Sequence, residues 1–276
     1  MAINFHCELG LPVQGRYPDK EFLFIPFAIL CAEVSPEFRP IVSLWYRETR
    51  AAMKSKTTVW AAALAAAMVS IILALGGVAV VVSWTRVSTE AIELSVIHAD
   101  DAVERAWKLP AAASFRHEVS WQSNASLCGP SSLANVFRSL GEDATSEKSV
   151  LAGTGLCWTG FCIMGLTLDE LAGLARAKTR RRVTVLRDMS AEGFREHLKR
   201  TNDPAHRYVI NFDRKMIFGA GAGHHSPIGG YLENEDLVFV LDINRDYRPW
   251  LVERTRLFDA MNTWDGDKKR GMLLIE

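Results

Sequence analysis

The chain has 276 residues, with 32 Lys and Arg against 32 Asp and Glu, so its formal net charge is zero, and 49% of it is hydrophobic. That balance excludes a disordered chain, a collagen and a basic nucleic-acid-binding tail. Five cysteines with no C-x-x-C pair exclude a disulfide scaffold and leave structural zinc and thioredoxin-type chemistry without support.

Residues 1–56 contain an apolar run, Phe22 to Ala32, of eleven residues broken by Pro26, too short to span a bilayer. Two readings stay open for this region: an interfacial segment, or a stretch ahead of a true start at Met53. From Thr57 to Thr85 no residue is charged, and only Ser70 and Ser83 interrupt the apolar run before Thr85. A helix of ~20 residues crosses the ~30 Å hydrocarbon core, so residues 57–85 are expected to form one transmembrane signal-anchor helix with Trp60 and Trp84 near the interfaces. Arg47, Arg50, Lys54 and Lys56 precede the span and Arg86 follows it. The positive-inside rule then puts the N-terminus in the cytoplasm and the C-terminal portion outside, in the periplasm, of a single-pass protein of the cell membrane. The run is longer than a signal-peptide core, and no A-x-A site follows it.

Residues 86–113 read as a stalk leading to a domain over 114–276. Leu133, Val136, Phe137 and Leu140 recur at helical spacing with Gly141 placed to end the helix, which therefore begins just after Cys128-Gly129-Pro130. The capping-box pattern Thr167 to Glu170 opens a second helix through Ala177. Strands are expected over Arg182–Leu186, Tyr208–Phe212, His225–Leu232 and Leu237–Ile243. Helices first and antiparallel strands later make an α+β layout.

At the start of its helix, Cys128 is placed where the macrodipole favours thiolate over thiol, and the thiolate is the nucleophile. The alternative for a lone Cys is burial as a small apolar residue. Downstream, Gly221 to Tyr231 carries His224 and His225 into a strand, and the returning strand carries Asp242. A His and an Asp so placed can meet side by side or diagonally across the ladder; whether both face one side depends on a register that stays open. Cys, His and Asp supply nucleophile, base and orienter, and Gln122, six residues before Cys128, supplies a donor for an oxyanion. Cys157 and Cys162 either pair in an oxidising compartment or remain free thiols. The His224-His225 doublet and the cysteines match no common zinc spacing, so no metal ligand is expected. The basic run Arg176 to Arg182 reads as a solvated helix end, with no nucleic-acid partner.

The blocks Gln122-Ser-Asn-Ala-Ser-Leu-Cys128-Gly-Pro, Gly165-Leu-Thr-Leu-Asp-Glu-Leu171, Gly223-His-His-Ser-Pro-Ile-Gly-Gly-Tyr231, Leu241-Asp-Ile-Asn-Arg245 and Ala260-Met-Asn-Thr-Trp-Asp265, with Arg270-Gly271, resemble the phytochelatin synthase family, which has a papain-like fold. The resemblance runs from about Phe115 to Glu276. It implies Cys128 as nucleophile, His224 as general base and acid, and Asp242 as the residue that orients His224. His225 stands where the family usually has an aromatic residue and is read as a neighbour of the base. Arg214 and Arg245 match arginines near the substrate site, and Asp265 with Arg270 match the pair expected to hold a γ-glutamyl head group. The implied activity is that of a glutathione γ-glutamylcysteinyltransferase: cleavage of the Cys-Gly bond of glutathione through a γ-Glu-Cys thioester, released mainly to water, with transfer to a second glutathione as the other outcome. No cofactor is required by this reading; Cd or Zn enters as a glutathione thiolate complex. A dimer is compatible with it. The alternatives are a papain-like peptidase or amidase acting on another substrate, and a non-catalytic domain that binds glutathione or metal thiolates.

Overall fold

The computed structural model describes residues 39–157, 162 and 165–276. The expectations for Phe22 to Ala32 lie outside the described residues. Two units result, Met1–Leu73 and Ala74–Glu276, each described on its own.

In the first unit the described residues belong to α1 (Arg39–Thr85), a helix that continues into the second unit. Within α1, Thr58–Gly77 is long and apolar enough to cross a membrane, and none of it is buried by the rest of the chain.

The second unit continues with α2 (Thr89–Ser95), α3 (Asp100–Trp107), α4 (Pro110–Ala113), α5 (Cys128–Leu140), α6 (Glu147–Leu151), α7 (Leu168–Lys178), β1 (Val183–Leu186), α8 (Ala191–Arg200), β2 (Arg207–Asp213), α9 (Arg214–Phe218), β3 (Gly223–Leu232), β4 (Leu237–Val240), β5 (Trp250–Glu253), α10 (Arg254–Met261), the short pair β6 (Trp264–Asp265) and β7 (Lys268–Lys269), and β8 (Gly271–Ile275). Six strands form one antiparallel sheet in the order β1-β8-β2-β3-β4-β5. One face packs Val209, Phe239, Leu251 and Leu273 against α5 and α7 through Leu133, Phe137, Leu171 and Leu174. The other packs Ile210, Phe212, Val240 and Trp250 against α8, α9 and α10 through Phe194, Leu198, Phe218 and Leu257. Alternation along β2, with Val209 on the first face and Tyr208, Ile210 and Phe212 on the second, is what a sheet covered on both sides requires.

The α+β layout and the two expected helices are present. Gly141 closes α5 in the left-handed region, with φ 73°, and Thr167 with Glu170 forms the capping box of α7. The stalk is different: residues 86–113 fold into α2, α3 and α4, and Ile92, Ala106, Trp107 and Ala112 are buried in the two cores. Their apolar residues are spread over three short helices, so no single run displays a long amphipathic period. Helices also continue among the strands, since α8, α9 and α10 cover the second face.

Candidate active site

The N-terminus of α5 carries Cys128, buried and, among the described residues, the one free cysteine. Leu127 caps the helix with no side-chain bond, so the first N–H groups of α5 stay open toward the site. The loop leading to it is tied down on both sides. Ser123 donates through its backbone N–H and its hydroxyl to Glu147, which also accepts from Ser131. Ser126 donates to Asn124 and accepts from the Cys162 N–H. Cys162 is disulfide-bonded to Cys157, which resolves the two readings of those cysteines in favour of the pair.

The histidine expected as the base comes from β3. His224 is 3% exposed, and its Nε2 lies 3.0 Å from Asp242 Oδ1. With Nε2 given to the carboxylate, Nδ1 is the ring nitrogen left for a further partner. Whether His224 and Asp242 share a face is decided by a β-bulge. Leu237 and Phe239 pair with Leu232 and Gly230, but Val240 pairs with Ile228, so one extra residue enters β3 between them. That residue shifts the alternation by one and puts His224, rather than His225, on the side of Asp242. A Cβ on Gly229 would come 2.7 Å from Phe239 Cδ1, and one on Gly230 would come 2.5 Å from Leu109 Cδ1, so the bulge needs its glycines.

Asp242 follows β4 and is wholly buried. Both its oxygens accept from Arg214 Nη2 at 2.8 Å, and it accepts further from the Asn244 N–H at 2.9 Å and Trp250 Nε1 at 3.3 Å. Arg214 is itself buried, its guanidinium 3.7 Å from the centre of the Tyr247 ring. Burial by itself would raise the Asp242 carboxyl, but Arg214 and His224 outweigh it and hold it far below the usual carboxylate range. For His224, burial and Arg214 lower the pKa, while Asp242 and Cys128 raise it and prevail. For Cys128, burial raises the thiol, and the neighbouring imidazoles of His224 and His225 bring it well below its ordinary value. Both directions favour the thiolate and imidazolium forms.

Arg86, Val87, Gln122, Arg214, Gly223, His224 and Asn244 are among the residues around a cleft of 360 Å³. Gln122 is held by its backbone N–H on Ile243 O at 2.8 Å; its Oε1 is buried without a partner, and its amide nitrogen bonds no described residue. Arg214, expected near the substrate, both borders this cleft and braces Asp242. Arg245 is exposed and lies outside the cleft lining. Asp265 and Arg270 are paired at 3.2 Å and bridged by Asn211, which donates to Asp265 and accepts from Arg270. The guanidinium of Arg270 lies over Gly223, where a Cβ would be 2.3 Å from Nη1, so the pair adjoins the end of β3 that carries the histidines. Sequence reasoning missed Trp250, Tyr247 and Asn211, whose roles depend on side chains meeting across the sheet. Among the described residues no group of three or more His, Cys, Asp or Glu is placed to hold a metal ion.

The family model described as phytochelatin synthase matches residues 82–272. Glutathione gamma-glutamylcysteinyltransferase 3 of Lotus japonicus is 34% identical over 119 residues, 41% of this chain and 25% of the relative. The Triticum aestivum enzyme 1 of the same name is 36% identical over 116 residues, 40% of this chain and 23% of the relative. That of Schizosaccharomyces pombe is 30% identical over 117 residues, 41% of this chain and 28% of the relative. The matches thus span less than a third of the length of each of these relatives. The peptidase domain of Streptococcus ComA, a bifunctional ABC transporter, superposes with a TM-score of 0.40 and 14% identity over 57% of this chain and 96% of that one, a likeness too distant to carry an argument.

Proposed function

This chain belongs to the phytochelatin synthase family, and from that membership and the site geometry we propose a membrane-anchored, papain-like acyl transferase that acts on glutathione. The buried free Cys128 together with the hydrogen-bonded His224–Asp242 pair carries the reading. The thiolate attacks the carbonyl carbon between Cys and Gly of glutathione. His224 gives its proton to the departing glycine amine, and Gln122 with the Cys128 N–H receives the oxyanion. The γ-Glu-Cys thioester is then opened by water as the main acceptor, with a second glutathione as the other. Asp265 and Arg270 supply the opposite charges that the ammonium and carboxylate of a γ-glutamyl head require, and Arg245 is available at the surface nearby in sequence to Asp242. Cadmium or zinc enters bound to substrate thiolates.

The second reading keeps the machinery and changes the substrate to another peptide or amide. It is favoured by one observation: Asp265 and Arg270 satisfy each other and Asn211 before any ligand arrives. The separating experiment is mass spectrometry of the detergent-solubilised full chain incubated with glutathione, with and without cadmium, beside Cys128→Ala. Glycine and γ-glutamylcysteine that vanish in the variant are the expected result, and longer products would add synthase activity. A folded protein giving neither turnover nor an adduct on Cys128 would sink the glutathione assignment and favour the second reading.

The anchor is assigned to the span within 57–85, with the catalytic unit outside the cytoplasm. The uncovered apolar surface of Thr58–Gly77 supports the span, and the Cys157–Cys162 disulfide suits an oxidising compartment. Labelling of surface lysines of the second unit by a membrane-impermeant amine reagent on intact cells should succeed; protection until lysis would reverse the orientation.

A further inference from the structure

Beside the nucleophile stands a second imidazole for which the triad has no use. His225 is 3% exposed, and its Nδ1 lies 3.7 Å from Cys128 Sγ. Its position is fixed from two elements: Ser132, one turn into α5 from Cys128, donates to the His225 carbonyl at 2.9 Å, and Asn211 of β2 lies opposite it in the ladder. The other ring nitrogen, Nε2, is buried without a partner. An aromatic hydrocarbon would fill this place without that cost, since a buried polar atom left unpaired is unfavourable.

We propose that His225 is a further catalytic residue of this site, an imidazole that donates its Nδ1–H to the Cys128 sulfur and stabilises the thiolate both before attack and when it departs. The inference rests on Cys128 being the nucleophile of the proposed reaction and not on the identity of its substrate. The charged groups around His225 are engaged elsewhere: on its own strand His224 bonds Asp242, Arg214 lies beyond it on the same carboxylate, and Asn211 across the ladder holds Arg270 with Asp265. The Nδ1 of His225 is left for the sulfur.

In acylation the sulfur lone pair forms the S–C bond, the C–N bond breaks, and the proton on the leaving amine comes from His224; His225 keeps its own. In deacylation the oxygen of water bonds the carbonyl carbon, His224 takes its proton, and the C–S electron pair returns to a sulfur that the His225 N–H is waiting to receive. His224 thus moves protons, while His225 holds charge.

The test is the pH dependence of Cys128 alkylation by iodoacetamide on the full chain, which requires no substrate. His225→Phe should keep the packing and lower alkylation on the acid side of the profile about tenfold, the worth of a hydrogen bond to a charged group. His225→Asn, whose amide nitrogen can take the place of Nδ1, should restore most of it, whereas His225→Gln, reaching toward Nε2, should not. Should the Phe variant fail to fold, the contrast between Asn and Gln still decides. Profiles of Phe, Asn and Gln variants that superimpose on that of the unaltered chain would overturn the proposal and leave His225 as filler. Normal alkylation without glutathione turnover would instead strike the substrate assignment and leave this inference standing.

Discussion

Asp242 accepts hydrogen bonds from Arg214, His224, Trp250 and the backbone of Asn244 with no exposure to solvent, so its loss should be felt in both stability and rate. Asp242→Asn strands the buried Arg214 charge and should cost about 3 kcal/mol or more in a urea titration. Adding Arg214→Met should recover most of that stability but not turnover. The sign of the pH dependence follows from the depressed carboxyl: its stabilising contribution is complete above the ordinary carboxylate range and is lost as the pH falls. The stability gap between the unaltered chain and Asp242→Asn should therefore hold from pH 7 to pH 5 and close below about pH 4. Turnover should follow a bell, its acid limb set by protonation of the depressed Cys128 and its alkaline limb by deprotonation of the raised His224. A profile still rising well above the ordinary range of imidazole would contradict the ion pair. At this scale much was legible. Cys128 before a helix and a His and Asp on successive strands announce themselves by residue type and order. The double duty of Arg214 and the closeness of His225 to the sulfur did not, because neither leaves a mark along the chain.

The β3–β4 pairing shows why local pattern stops short of the site. From sequence, a His doublet and an Asp could be set on one hairpin, but the face each occupied depended on a bulge whose signature is only Gly229-Gly230. A glycine pair fits a turn, a close approach or a bulge equally well. Gly229→Ala should meet Phe239 and Leu241, cost ~1–3 kcal/mol as overpacking does, and reduce turnover more than stability. Equal turnover in that variant would mean that β3 absorbs the methyl without moving His224. β8 escaped notice for a related reason: Gly271 to Ile275 is a short apolar run buried on both sides, with no alternation to distinguish strand from helix. Yet it is central, lying between β1 and β2.

Across the whole molecule, the segment after α1 belongs to the core of the second unit. Ile92 and Val96 are buried in the core on the second sheet face, and Ile97 pairs with Leu251 through both backbone bonds. Shortening the chain to start at Ile97 removes Ile92 and Val96, which should lower the melting temperature by several degrees, each kcal/mol being worth ~2–4 °C in a unit of this size. Calorimetry of chains starting at Ala74 and at Ile97 checks this. Arg86 and Val87 also border the cleft beside His224. The first residue after α1 thus already lines the candidate cleft. A cut anywhere from Val87 to Val96 takes Arg86 out of that lining, so turnover should fall along with the melting temperature, which assay of the chains starting at Ala74 and at Ile97 checks.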